Sequence, residues 1–472
     1  YSPDNVPYRP KMFLQVAPEG VEEGDFVFIF GYPGRTYRHR TSYFLAHEEE
    51  VRMPRVVELY DWLISLMKKM GENDRDIALK HLSRIKGLSN VMKNYQGKLL
   101  GLKRLDLVEM KRLEEQELKK FIRADKNRSE KYGDILPAIE KLYVERRAAY
   151  DYEFNMHYMR RNVYMFRFAI TVYEAAIERQ KKDIERESAY MDKNFSRTKN
   201  RLLLMTKDYY EPTDKIVFKE FLTRLTELPE NQKVNVLQSI INGKDPEAAI
   251  DDFLSTLYAE SKLNQKEYLE QALLKSESEL KELDDPFLNF AIKIYPAYKE
   301  LRETGKTRKG QSDQLAARLI DVKKEFLKTD FIPDANGTLR FTYGHIRGYS
   351  PRDAVYYHPI TTLNGVIEKT TDEPPFNTPK KLIELYDSRE FGRFYNSRLG
   401  GVPTGILYDM DTTGGNSGSP VMNAEGEIVG VNFDRAFEAT INDFGWSQDY
   451  SRSIAVDIRY VLWVTQKFAG AD

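Results

Sequence analysis

There is no cysteine anywhere in the 472 residues. Disulfides, thiolate metal sites and a cysteine nucleophile are excluded together, while either redox compartment stays open. No apolar run approaches the ~18 residues that a membrane-spanning helix needs. Charge of one sign is lacking too. The 72 Lys and Arg stand against 73 Asp and Glu, for a formal net charge of −1. That balance gives no electrostatic case for nucleic acid or for an anionic membrane surface. No initiator Met and no signal-like segment is present, so the chain is expected to be a processed or excised piece of something longer. Charged residues make up 31% and hydrophobic ones 41%, the composition of a soluble protein with room for two or three domains.

The first forty-odd residues have the texture of strand and turn. Pro3, Pro7, Pro10 and Pro18 hold an extended approach, since proline forbids a helix. Asp25-Phe26-Val27-Phe28-Ile29-Phe30 then predicts a short buried strand, closed by Gly31-Tyr32-Pro33-Gly34. From about Ala46 the period changes. Val56, Leu59, Tyr60, Leu63, Leu66, Met67 and Met70 form one helical stripe, and charged helical sequence continues for well over 250 residues. Asp245-Pro246 is an N-cap with proline at N1, with Gly243 ending the helix before it, and Asn264 with Glu267 has capping-box spacing. Tyr150, Tyr158, Met159, Tyr164, Met165 and Tyr173 suit a bundle core better than a ligand groove. The run from Glu178 to Glu187 is expected to be a solvated helix face.

After about Phe331 strands return. Leu339, Phe341 and Tyr343 alternate with polar residues as on a half-buried strand. Short strands follow at Gly405 to Tyr408, Pro420 to Met422 and Ile428 to Phe433, the last two joined through Asn423 to Glu427, and a terminal helix is predicted over Val456 to Phe468. The expected fold is therefore α+β: a β domain over 1–44 and 331–472, interrupted by an all-helical insertion over 45–330.

Between those last strands stands Gly414-Gly415-Asn416-Ser417-Gly418-Ser419-Pro420-Val421. Glycine before a serine lets the backbone present N–H groups on the side of the hydroxyl, which suits an acyl-transfer nucleophile. Taken alone, the same residues also make an ordinary Gly/Ser/Asn turn.

A strand ending in Gly-Tyr-Pro-Gly, a Gly-Asn-Ser-Gly-Ser-Pro-Val turn with a hairpin after it and a C-terminal helix resemble the second barrel of a chymotrypsin-like serine peptidase. With the helical insertion, residues 1–8, 31–38, 93–97 and 413–434 resemble the bacterial dipeptidyl-peptidase 7/11 family over essentially the whole chain. The resemblance implies that Ser417 is the nucleophile and that the Gly415 and Ser417 amides form an oxyanion hole, with Asn416 a turn residue. It implies that Arg435, present where the family's hydrophobic-specific branch has Gly, binds a P1 Asp or Glu. The other reading of Arg435 is a surface arginine paired to Asp434 or Glu438. Asp434 and Asn94 match the positions that anchor the substrate's free N-terminal ammonium; otherwise Asn94 is a helix-end or turn residue ahead of Gly97.

The family's general-base His and orienting Asp sit in a first barrel ahead of this chain, and none of His39, His47, His81, His157, His345 and His358 stands in the context of that base. Asp409 and Asp411 are expected to be loop carboxylates. The implied activity is release of Xaa-Asp and Xaa-Glu dipeptides through an acyl-enzyme, with no metal and no organic cofactor. Implied partners are peptides with a free N-terminus, an N-terminal portion supplying His and Asp, and a second copy in a homodimer. The implied location is periplasmic. Two competing classes are a non-catalytic helical scaffold with a degenerate barrel, and a glutamyl-type endopeptidase.

Overall fold

The computed structural model describes residues 2–471, so Tyr1 of the 1–8 motif lies outside the described residues. Two compact units share the chain. One takes in the residues up to Leu45, Lys93–Glu115 and everything from Thr329 on; the other is Ala46–Met92 with Gln116–Lys328. Lys93–Glu115 thus belongs with the strands although it lies deep in the helical stretch.

Among the described residues the first unit is built on nine strands: β1 (Phe26–Gly31), β2 (Arg340–His345), β3 (Tyr349–Arg352), β4 (Val355–Tyr357), β5 (Ile360–Thr362), β6 (Pro403–Tyr408), β7 (Pro420–Met422), β8 (Ile428–Arg435) and β9 (Ser453–Asp457). Seven of them make an antiparallel sheet in the order β2-β1-β7-β8-β9-β6-β5, and β3 pairs with β4. The sheet curls on itself, since an antiparallel bridge joins Ile346, just past β2, to Tyr408 at the end of β6. Val27, Ile29, Ile346, Ile406, Tyr408, Val421 and Val429 fill its concave side. Each such side chain contributes about 1.5–3 kcal/mol by leaving water.

The aromatic residues at the sheet's edge lie differently from expectation. Asp25 to Phe30 is not wholly buried: only Val27 and Ile29 point inward, and Phe30 is 50% exposed. On β2 the predicted faces are inverted, with Leu339, Phe341 and Tyr343 outward. The inward positions are tight, because a side chain added at Gly344 would stand 3.0 Å from the Met410 amide. The outward rings instead pack tilted against one another across the pair, Phe28 on Phe341 at 5.6 Å and Phe30 on Phe341 at 5.3 Å.

The C-terminal helix also starts later than predicted. Ser453–Asp457 pairs with β6 and β8 as a strand, and the helix is Ile458–Trp463. Asp457 decides the boundary: its carboxylate caps the Arg459 amide at 2.8 Å and pairs with that arginine's guanidinium at 2.6 Å.

The second unit is a helical assembly. Met53–Met70 buries Val56, Leu59, Tyr60, Leu63 and Met67 as the stripe predicts. Tyr150, Met159, Met165 and Tyr173 are core residues. Asp245 caps Pro246–Glu260 through the Ala248 amide at 2.9 Å, and the helix before it closes through two left-handed residues, Asn242 at φ 42° and Gly243 at φ 75°. Two expectations fail. The helix near Asn264 starts at Lys266 and has no side-chain cap; the capping box is formed by Ser276 and Glu279. Glu178 to Glu187 is not a solvated helix face, because the helix ends at Glu178. That residue is buried, accepting from Lys181 Nζ at 2.7 Å and the Glu187 amide at 2.8 Å.

His47 in this unit is fully buried with neither ring nitrogen hydrogen-bonded. Burial first, then the charges of Arg146, Arg147 and Arg52, push its pKa down from 6.5 to about 4. The unfolded chain takes up this proton at higher pH than the folded one. The stability His47 contributes is therefore complete above pH 6.5 and lost as pH falls towards about 4, with a slope of up to about 1.4 kcal/mol per pH unit. Urea denaturation across that window should show His47→Phe flattening the slope; an unchanged slope would assign it to other groups.

Candidate functional site

The serine turn is held from beneath by the turn after β1. Gly34 N donates to Gly414 O at 2.6 Å. Gly415 has φ +108°, and a Cβ there would collide with Tyr32 O and stand 2.7 Å from Gly34 N. No other residue meets both demands. Gly415→Ala is expected to cost about 1–3 kcal/mol from backbone strain alone, read as a lowered denaturation midpoint; an unaltered midpoint would mean that the turn relaxes freely. Asn416 is buried, 1% exposed, and its side-chain carbonyl accepts from Thr413 N at 3.2 Å. It is a structural member of the turn.

Ser417 sits exposed at the apex, its hydroxyl donating to Phe433 O at 3.2 Å. That carbonyl is available because β8 shifts register between Asn432 and Asp434, a bulge that lifts Phe433 out of the ladder. Among the described residues, the amides of Gly415 and Ser417 meet no acceptor, whereas Asn416, Gly418 and Ser419 in the same turn are all bonded. Two free N–H groups flanking a serine hydroxyl are the donors that a tetrahedral oxyanion requires.

No histidine is bonded to the Ser417 hydroxyl among the described residues. His39 meets Ile332 O at 2.8 Å, His81 meets the Thr213 hydroxyl at 3.1 Å, and His345 lies edge-on to Phe26. Asp409 accepts the His345 amide at 2.7 Å and Asp411 pairs with Arg38. Burial alone would lower the Arg38 pKa, but Asp411 outweighs it and holds the pKa above its ordinary value. Both carboxylates are thus structural.

Arg435 is not a surface arginine and pairs with neither Asp434 nor Glu438. Its side chain is 11% exposed and its Nη1 lies 2.9 Å from Asp443 Oδ1, while Glu438 accepts from the Tyr349 hydroxyl at 2.7 Å. Asp443 also takes the Thr413 hydroxyl and, through Oδ2, Lys98 Nζ at 2.6 Å. Burial would raise the Asp443 pKa, but Lys98 and Arg435 outweigh it and hold the carboxyl below its usual value. One carboxylate therefore ties together the end of β8, the root of the serine turn and the helix Arg75–Leu105.

That helix also carries Asn94. Asn94 lies well inside it rather than at its end, one turn before Lys98 on the same face. Gly97 and Gly101 let the helix approach: a Cβ on Gly97 would stand 2.9 Å from Phe437 O, and one on Gly101 would stand 2.6 Å from the Ile441 side chain. Among the described residues the Asn94 amide has no partner, and the exposed Asp434 carboxylate binds only the Arg435 amide, at 2.9 Å. Both keep acceptor capacity for a ligand. Sequence reasoning missed Lys98, Thr413 and Asp443. Lys98 was within reach of it, at helical spacing from Asn94; Asp443 was not, since it stands eight positions after Arg435, at the far end of the 3-10 helix Phe437–Asp443. Among the described residues there is no group of acidic or His side chains suited to hold a metal ion.

The peptidase S46 family model matches residues 1–472. The chain is 29% identical over 496 residues to an Asp/Glu-specific dipeptidyl-peptidase of Shewanella putrefaciens, covering 100% of this chain and 67% of that protein. It is 33% identical over 491 residues to an Asp/Glu-specific dipeptidyl-peptidase of Capnocytophaga gingivalis, covering 100% and 65%. It is 30% identical over 490 residues to a dipeptidyl-peptidase 7 of the same organism. Among solved structures, Porphyromonas endodontalis DPP11 in complex with the dipeptide Arg-Glu matches with a TM-score of 0.79 and 29% identity, over 100% of this chain and 66% of that one. The chain thus spans about two thirds of the length of these relatives.

Proposed function

Because the chain belongs to the peptidase S46 family, we propose that it is the nucleophile-bearing part of a serine dipeptidyl-peptidase that releases dipeptides ending in Asp or Glu. The observation that carries this reading is the pair of unbonded amides beside the exposed Ser417 hydroxyl. The curled sheet is the second barrel of a chymotrypsin-like peptidase. Ser417 Oγ attacks the carbonyl carbon of the second residue, and its proton passes to a general base. The Gly415 and Ser417 amides stabilise the oxyanion, the C–N bond breaks as the base protonates the leaving amine, and water hydrolyses the ester. The base and its orienting carboxylate come from polypeptide matching the third of the relatives that lies outside this chain.

Arg435 receives the P1 carboxylate, the charge-assisted role for which a planar guanidinium is suited. Asp434 and the Asn94 carbonyl accept the substrate's N-terminal ammonium, which sets the cut at two residues. Names of two relatives specify Asp/Glu, in keeping with an arginine at this position.

The test compares product dipeptides from a peptide with Glu at its second position, free and N-acetylated, using the complete protein. The free peptide should lose its dipeptide, and the acetylated one should be cut at least about tenfold more slowly. Equal cleavage of both would favour a glutamyl endopeptidase, and cleavage of neither a non-catalytic scaffold.

A further inference from the structure

Asp443 raises a difficulty for anion binding at Arg435. An arginine already paired to a buried carboxylate is neutralised, and an incoming acidic side chain would meet repulsion from Asp443 beside the attraction of Arg435. Lys98 removes the difficulty. It is 8% exposed, reaches Asp443 Oδ2 at 2.6 Å, and lies near the rings of Tyr95 and Phe444, at 5.6 and 5.4 Å. Two cations around one carboxylate leave the cluster with one excess positive charge. Excess charge out of water is unfavourable until a counter-charge arrives. Arg435 keeps the means to receive one, since Nη1 is engaged with Asp443 and Thr413 while Nε and Nη2 meet no acceptor among the described residues.

We infer that Lys98 is a specificity-determining positioning residue: by balancing Asp443 it leaves the charge of Arg435 available to an acidic P1 side chain, while Asp443 fixes the guanidinium against the serine turn. The inference rests on the assignment of Arg435 to the P1 carboxylate. It explains why Asn94 and Lys98 share one helix face: a single turn of helix carries both the ammonium anchor and the charge that sets P1 preference.

The test measures kcat and KM for dipeptide release from matched substrates with Glu or Gln at P1, using the complete protein. Lys98→Met is expected to raise KM for the Glu substrate by about ten- to a hundredfold, with kcat changing much less. Lys98→Arg should restore the low KM. The double variant Lys98→Met/Asp443→Asn returns the cluster to one excess positive charge, so it should recover most of the Glu preference. A packing role for Lys98 predicts a double variant no better than Lys98→Met. That result, or an unchanged KM in Lys98→Met, would overturn the inference. Should Lys98→Met fail to fold, the double variant decides alone, by keeping or losing its Glu preference. Arg435→Gly separates the two levels: if it leaves Glu preference intact, the assignment of Arg435 itself fails. If it abolishes that preference while the Lys98 variants behave as wild type, only the role of Lys98 fails.

Discussion

Ser417→Ala in the complete protein is expected to lower kcat for release of Xaa-Glu dipeptides by about ten-thousand-fold or more, with KM little changed. Among the described residues the hydroxyl makes a single hydrogen bond, to Phe433 O, so its loss costs the fold almost nothing, and the change falls on the covalent step. The unbonded amides of Gly415 and Ser417 survive in the variant, so substrate still docks and some catalysis remains. Steady-state kinetics with a fluorogenic Xaa-Glu substrate measures this directly. Activity within tenfold of wild type would remove Ser417 from the reaction and leave the turn a loop.

The second large effect concerns selectivity. Arg435→Gly is expected to reduce kcat/KM for acidic P1 residues by about a hundredfold or more, because a charged group buried without its bidentate partner loses far more than a missing apolar contact. Hydrophobic P1 substrates should lose little. The variant also leaves Asp443 with only Lys98 and Thr413, so a thermal melt should accompany the kinetics to show that the variant remains folded. Cleavage after Asp or Glu at the wild-type rate would mean that Arg435 serves only to hold the serine turn through Asp443.

How much of this was legible in the amino acids depended on the range of the interaction. The serine turn, the hairpin after it and the Asp245 cap are local patterns, and local chemistry fixes them: glycine where φ is positive, an acceptor where a helix amide is free. The outward turn of Phe30, Phe341 and Tyr343 was not legible, because period-2 alternation states that two faces differ and leaves open which is buried. Tight backbone packing beside Gly344 decided it. The strand Ser453–Asp457 was hidden for a similar reason. Its alternation runs directly into a helix that Asp457 caps, and periodicity alone blurs such a junction. Of the proposed site residues, Ser417, Gly415, Asn94, Asp434 and Arg435 come from the motifs that carry the family resemblance. Their connection does not, since Asp443 joins Lys98, Thr413 and Arg435 across 345 positions of sequence (443 − 98). Side chains of that kind meet only in the folded chain.

The proposed function makes the Gly415–Ser417 turn a working nucleophile once its base is in place. The most direct measurement is fluorophosphonate labelling of the complete protein, followed by mass-spectrometric mapping of the modified residue. A single adduct on Ser417, absent from Ser417→Ala and blocked by an Xaa-Glu dipeptide, is the predicted result. No adduct, or one on a different serine with Ser417 unmodified, would contradict the account.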